Sequence, residues 1–413
     1  MSMITRRRFL AGSAAATAAL TLASSRVLGA SEDIRIAIVG TGGRGGDLLK
    51  QFGAVPGVRI VALCDADQKQ VDRRMADLEK KGQKAAGYTD ARKILDDKNV
   101  DAIVTATPNH WHSLMGVWAC QAGKDIYVEK PVSHNIWEGR KLVEAAAKYN
   151  KVVQVGMQAR SDENLTAVFK ELNAGALGKI LCARCLCYKP RATIGKVTEP
   201  TPIPEGVDYN LWCGPAPMGP LMRKNLHYDW HWVWATGNGD FGNQGVHEAD
   251  MCRRALGYDY LPSRVMGVGG RFCWEDDGET PNVQAVFFDY PIPIISETRN
   301  MRRKAGDQVT DAFKGVRIGI VIQCEAGYYA GGSSGGWTYD KDGNKLKQYV
   351  QGDTGGHMAN FINACRTRKA ADNKCPAIEG HLSASLCHMA NISNRVGKAA
   401  KPEEVMEMVK INL

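Results

Sequence analysis

Between residues 33 and 155 short apolar runs recur at the spacing of a wound sheet: IRIAIVG, VRIVALCD, DAIVTAT, DIYVEK and VVQVGM, separated by stretches long enough for crossover helices. Runs rich in Ile, Val and Ala without polar alternation suit strands buried on both faces, the environment of a parallel sheet. The pattern predicts a doubly wound α/β domain over 31–155. Beyond it the texture changes. KILCARCLCY, RVMGVGGRFCW, VQAVFFDY and VRIGIVIQCEAGYYA are longer strand candidates joined by irregular loops. They predict an α+β domain over 156–413 built on a largely antiparallel open sheet, closed by a helical stretch over 356–399. Pro- and Gly-rich loops at 195–220 and 331–336 are expected to border a ligand cleft.

Gly40-Thr41-Gly42-Gly43-Arg44-Gly45 directly follows the first strand candidate and precedes the amphipathic DLLKQF. Glycines at G-x-G-x-x-G spacing allow a tight turn and bring backbone amides, at the positive end of a helix, against a pyrophosphate. Asp65 closes the second strand 20 residues after Gly45. A carboxylate there accepts a hydrogen bond from a ribose 2′-hydroxyl and repels a 2′-phosphate, so the first domain reads as a Rossmann unit that takes NAD in preference to NADP.

Hydride transfer from an alcohol needs a base for the hydroxyl proton and a donor that positions the oxygen. Candidates stand where strands end: Thr107-Pro108-Asn109-His110-Trp111-His112 after DAIVTAT, and Glu129-Lys130-Pro131 after DIYV. With these two motifs, and with VGMQAR at 155–160 and NQGVHEAD at 243–250, the chain resembles the Gfo/Idh/MocA oxidoreductase family over nearly its whole length past the leader. The resemblance implies that Lys130 hydrogen-bonds the reacting hydroxyl, that Pro131 follows a cis peptide, and that Asn109 and His112 lie near the nicotinamide. Thr107, Pro108, Glu129 and Gln158 join them as cofactor-site candidates. It also makes His247 the general acid/base. The residues add that His247 opens the helical pattern HEADMCRRAL, where a helix N-terminus would disfavour the imidazolium. Asn243 stands where many members of the family carry an acid, in D-x-G-x-H, and an amide cannot stabilise the imidazolium as a carboxylate does; either Asp240 or Asp250 compensates, or the histidine does different work. Asn109 has a second reading, as the cap of the helix that begins there.

LHYDWHWVWATGNGD (226–240) packs aromatic rings with polar tips, the usual floor for a sugar ring, and makes Trp230 and His231 substrate-site candidates. Tyr188, Lys189 and Arg191, at the end of a strand candidate, and Asn243 join them. The activity implied is transfer of a hydride between NAD and a secondary hydroxyl of a sugar or glycoside. An NAD-dependent glycosidase working by transient ring oxidation, elimination and re-reduction remains an alternative, as does a sugar-to-sugar oxidoreductase.

Thr5-Arg6-Arg7-Arg8-Phe9-Leu10 and the Ala/Thr-rich stretch after it read as a twin-arginine leader over 1–30. Such a leader implies the twin-arginine export machinery as a partner, a periplasmic location, and a protein that folds, with its cofactor, before it leaves the cytoplasm. Without the four leader arginines the net charge falls from +9 to +5, and no basic cluster interleaves with aromatics, so nucleic acid is not an expected partner. No run is apolar enough for stable membrane insertion. CARCLC (182–187) lacks the second pair of a four-ligand zinc site, and His227 and His231 would share a helix face only if their aromatic stretch were helical; no metal is expected. The open sheet face predicts a homodimer or homotetramer.

Overall fold

The computed structural model describes residues 33–304, 307, 309–354, 356–397 and 400–411. The leader expectation falls on residues outside that set. The first half alternates β1 (Ile34–Val39), α1 (Gly43–Gly53), β2 (Val58–Cys64), α2 (Gln68–Glu79), β3 (Ala86–Tyr88), α3 (Arg92–Asp96), β4 (Ala102–Thr105), α4 (Asn109–Gln121), β5 (Asp125–Val128), α5 (Ile136–Lys148) and β6 (Val153–Val155). All six strands are parallel, in the order β3-β2-β1-β4-β5-β6. Their near-unbroken burial explains the apolar runs, since helices cover both faces. The strand β3 has no such run. Its three residues are recruited by pairing with Ala62–Cys64.

After α6 (Glu163–Asn173) the second half runs β7 (Ile180–Cys187), α7 (Tyr209–Cys213), α8 (Val246–Ala255), β8 (Val265–Gly270), β9 (Val283–Phe288), β10 (Ile294–Arg299), β11 (Ile318–Cys324), β12 (Gly327–Gly332), β13 (Gly335–Asp340) and β14 (Lys345–Val350). These strands form a sheet in the order β14-β13-β12-β11-β7-β10-β9-β8, antiparallel except for the pair β7 and β10. Two expectations are corrected. VRIGIVIQCEAGYYA is two strands turning at Glu325-Ala326, and β10, β13 and β14 lacked a recognisable run. The glycine stretch 331–336 is a hairpin, Gly331 pairing with Gly336 and Gly332 with Gly335, and it lines a separate cavity of about 370 Å³ rather than the large one described below.

The helical closure breaks at Thr367 and restarts after Pro376, giving α9 (Gly356–Thr367), α10 (Ala377–Val396) and a separate α11 (Pro402–Ile411). The helix α9 returns to the first sheet, where Met358, Phe361 and Ile362 pack with Ile36, Phe52 and Tyr127. The helix α10 lies between the two halves, its small residues Ala384 and Ala390 fully buried in the main core. Around its start, Arg160 spans Asp250 (2.8 Å) and Glu379 (2.8 Å), and Arg253 contacts Glu379. Among the described residues no helix is long and apolar enough to cross a membrane.

Candidate active site

The glycine turn is shaped by contact as well as by conformation. Gly40 has φ +80°, and a Cβ on it would lie 2.7 Å from the Ala106 carbonyl carbon. A Cβ on Gly45 would stand 1.7 Å from the Gly40 oxygen, so α1 crosses β1 closely only because both are glycine. At Gly42 and Gly43 a Cβ would meet nothing within 4 Å. These two line a cavity of about 1010 Å³ and leave its floor open to the backbone, at the start of a helix with no acid in its first turn. A dinucleotide's pyrophosphate fits this cradle. Arg74 braces it by donating to the carbonyls of Thr41 and Gly42, both at 3.1 Å.

Asp65 accepts from the Thr41 amide at 2.7 Å and from the Asp67 amide at 3.0 Å, and burial raises its pKa against these donors. Gly40, Gly42, Gly43, Arg44, Asp65, Thr107, Pro108, Asn109, His112, Glu129 and Lys130 all line the cavity. Thr41, Gly45 and Gln158 do not. Gln158 sits behind the wall, donating to the Tyr127 hydroxyl (2.9 Å) and to Glu129 (3.3 Å). Asn109 is no helix cap: Pro108 holds that position, and the Asn109 amide donates to Asn238 at 3.0 Å. The His112 ring bridges the strand-end loops, with Nδ1 2.6 Å from the Pro131 oxygen and Nε2 2.8 Å from that of Thr107.

A second-half strap, invisible in the sequence as such, covers the cofactor end. It is the 195–220 loop, continued to His227. The Gln68 amide donates to the Gly206 oxygen (2.9 Å), the Asp208 amide to Ala66 (2.8 Å), and His227 Nε2 lies 3.0 Å from Asp67 Oδ2. Trp212 and Pro215 on the strap and Trp111 on α4 add cavity wall, and Trp111 Nε1 donates to the Trp212 oxygen at 3.1 Å. The Pro/Gly-rich composition marked a loop, but its docking partner lies about 140 residues away in the chain. His227 is thereby engaged with Asp67, and among the described residues no cluster of ligands suits a metal.

At the other end the Lys130-Pro131 peptide is cis. Lys130 Nζ donates to the Asn243 carbonyl at 2.7 Å and to Asn243 Oδ1 at 3.3 Å. Burial, then the nearby Arg44 and Lys189, lower its pKa, with Glu129 opposing. Despite its own burial, Glu129 is held below the usual carboxylate range by Arg44, 2.7 Å away, and by Lys130.

His247 lies one helical turn past Asn243, half-buried, near Lys130 but not on the main cavity wall. One expectation about it is corrected. The helix does not begin there, because a wide turn over Phe241–Gly245 runs straight into α8 and consumes the free amides. Burial, followed by the Lys130 charge, keeps the imidazole neutral, with its pKa pushed down to about 3. Asp240 pairs with Arg191 at 2.6 Å and Asp250 with Arg160 at 2.8 Å; Asp250 still favours the imidazolium, but burial and Lys130 outweigh it. Asn243 orients the lysine instead.

Trp230 and His231 stack with ring centroids 3.6 Å apart and both line the cavity. Burial drives the His231 pKa down to about 3. Tyr188 is misplaced by the sequence reading. Ala183, Cys185 and Cys187 point toward α8, so Leu186 and Tyr188 project from the opposite face, where the Tyr188 hydroxyl bonds Glu297 at 2.5 Å. Arg191 stands one layer back, donating to the cavity residue Tyr228 at 2.9 Å.

A glycine cradle on a doubly wound sheet, an acid closing β2 and a lysine reaching toward a facing sheet domain define a two-domain dinucleotide-binding protein. Residues 34–157 match the model of the oxidoreductase family with an NAD-binding Rossmann fold, and residues 184–268 that of the same family's C-terminal alpha/beta domain. The chain belongs to the Gfo/Idh/MocA oxidoreductase family. It is 32% identical over 161 residues to inositol 2-dehydrogenase 1 of Saccharopolyspora erythraea, spanning 38% of this chain and 47% of that one. To a glycosyl hydrolase family 109 protein of Solibacter usitatus it is 39% identical over 117 residues, 27% of each chain. The chain thus spans about half or less of the length of these relatives. Among solved structures, the aldose-aldose oxidoreductase of Caulobacter crescentus complexed with glycerol superposes with TM-score 0.66 at 14% identity, over 90% of this chain and all of that one. The WlbA dehydrogenase of Bordetella pertussis, in complex with NADH and UDP-GlcNAcA, gives TM-score 0.65 at 18% identity, covering 89% and 98%. At such identities these two likenesses speak for the fold.

Proposed function

We propose that the protein is an exported oxidoreductase that transfers a hydride between a retained NAD and a secondary hydroxyl of a sugar or glycoside. The observation that carries the reading is Lys130, fixed by Asn243 at the meeting of the glycine-lined cavity and the second half. NAD, held by the Gly40–Arg44 turn and Asp65, supplies the hydride acceptor. The Lys130 ammonium has three N–H groups; Asn243 takes two, which leaves one for a sugar oxygen. As the hydride leaves the carbon the hydroxyl gives up one proton, while the Lys130 ammonium keeps its own and holds the oxygen by a hydrogen bond. Neutral His247 is ready to accept that proton, and the Trp230–His231 stack offers a face to the ring.

The strap favours a cofactor that stays bound, and a retained cofactor suits reactions that return the hydride. Two such readings deepen the proposal: transfer between two sugars, and glycoside hydrolysis through transient ring oxidation. The relative named glycosyl hydrolase family 109 supports the second, and the fold shared with the aldose-aldose oxidoreductase accords with the first. The TRRRFL leader supports twin-arginine export to the periplasm with cofactor aboard. A second copy is proposed to cover the open sheet face, where Met266 (68% exposed) and Phe287 (38%) sit opposite each other beside Val268.

The test is to purify the exported form, release and identify any nucleotide, then offer sugars and nitrophenyl glycosides while following nicotinamide absorbance and aglycone. Reduction that a second sugar reverses selects transfer, and aglycone release without net reduction selects hydrolysis. A chain that neither carries nor binds NAD refutes the proposal.

A further inference from the structure

The charge around Lys130 does not balance. Past the end of β7 the chain keeps its alternation, so residues 187, 189 and 191 share the face toward α8. Cys187 Sγ lies 3.8 Å from Asp240, Lys189 Nζ donates to Gln244 Oε1 at 3.0 Å, and Arg191 Nη2 donates to Asp240 at 2.6 Å. Four cations gather here. Arg44 takes Glu129 and Arg191 takes Asp240, while among the described residues the hydrogen bonds of Lys130 and Lys189 go to neutral groups, the backbone and amide of Asn243 and the amide of Gln244. The acids of α8 do not redress this. Asp250 is spent on Arg160, and Glu248 is 2% exposed, with Oε1 accepting from Gln244 at 3.1 Å and Oε2 without a partner. Burial pushes the Glu248 pKa up to about 8, so it is mostly protonated at neutral pH.

Amides replace part of the hydration of these two half-buried ammonium groups without neutralising them, and the carboxylates that act on Lys130 from further off, Glu129 and Asp240, are already engaged by Arg44 and Arg191. Amides at 243 and 244, where one carboxylate would neutralise the pair, preserve the positive potential. We propose that the sugar taken by this site carries an anionic group, a carboxylate or a phosphate, bound by Lys189 beside the hydroxyl that Lys130 holds. The inference rests on the sugar-oxidoreductase reading. An anion there gains charge-assisted hydrogen bonds from Lys189, whose Nζ has N–H groups to spare after Gln244, and it complements a region that a neutral sugar leaves positive.

The experiment titrates the NAD-loaded full chain, by tryptophan fluorescence, with hexuronates, hexose phosphates and neutral hexoses. At least one acid is expected to bind about tenfold or more tighter than its neutral counterpart, the range of a hydrogen bond to a charged group. Hexuronate against hexose phosphate tells carboxylate from phosphate. Lys189→Gln is expected to bring acid and neutral sugar within about twofold, and Lys189→Arg to keep the preference. A neutral hexose that binds as tightly as any acid, no binding by any acid, or an acid preference that survives Lys189→Gln in a folded protein overturns the inference. A tightly bound acid that never reduces the nicotinamide refutes the oxidoreductase reading while the anion site stands.

Discussion

His227→Ala separates the strap's latch from the helix it grips. Asp67 is 5% exposed and does two jobs: it caps α2 by accepting from the Lys69 amide at 2.9 Å, and its other oxygen faces His227 Nε2 at 3.0 Å. The His227 side chain is 39% exposed, so solvent screens the contact and its worth is about 0.5–1 kcal/mol rather than that of a buried pair. Removing it leaves the cap intact. If opening of the strap gates cofactor release, that energy converts to release about two- to fivefold faster. Asp67→Ala removes the cap as well, adding about 1 kcal/mol of lost stability. Asp67→Asn keeps the cap but weakens the latch, and should resemble His227→Ala. The assay chases bound NAD with excess fluorescent analogue, alongside thermal melts. Parental release rates in both His227→Ala and Asp67→Ala would refute the latch. A His227→Ala that melts as early as Asp67→Ala with release unchanged would show a purely structural contact.

Three further perturbations follow from the same geometry. Gly45→Ala places a methyl 1.7 Å from the Gly40 oxygen, so α1 must move off the sheet; NAD binding should weaken by more than tenfold, and unchanged binding by calorimetry counts against the cradle. Lys130→Met and His247→Ala should each cost about 10²–10⁴ in turnover while nucleotide stays bound, and full activity in either would remove that residue from the chemistry. Acid should destabilise the fold early. Burial lowers the pKa values of His110, His357 and His381 from 6.5 to about 4. Above pH 6.5 neither state is protonated and stability is whole; between pH 6.5 and 4 only the unfolded chain takes up the proton, costing about 1.4 kcal/mol per pH unit for each histidine. A melting temperature flat from pH 7 to 5 contradicts this.

The first sheet was readable because its information is local. Strands buried on both faces must be apolar throughout, and β1, β2, β4, β5 and β6 announce themselves that way, whereas β3 is strand only through its neighbour. The Gly40–Gly45 turn, Asp65 and the Glu129-Lys130-Pro131 motif were equally local, each set at a strand end by residues beside it. Tyr188 shows where such reading stops. Alternation told which residues of β7 share a face, but only packing against α8 decided that Cys187, Lys189 and Arg191 turn toward the site and Tyr188 away. His247 was expected to be neutral for the wrong cause, since burial and Lys130, rather than a helix end, set its state.

By itself, then, the order of residues determined the chemistry on offer: a dinucleotide turn, an acid to discriminate the ribose, a lysine and a histidine in known registers. Tertiary structure decided which of them meet. Asn243 reaches Lys130 across 113 residues of chain and His227 reaches Asp67 across 160. Contacts over such separations leave no period or motif at either end, because each partner's local backbone is satisfied without the other.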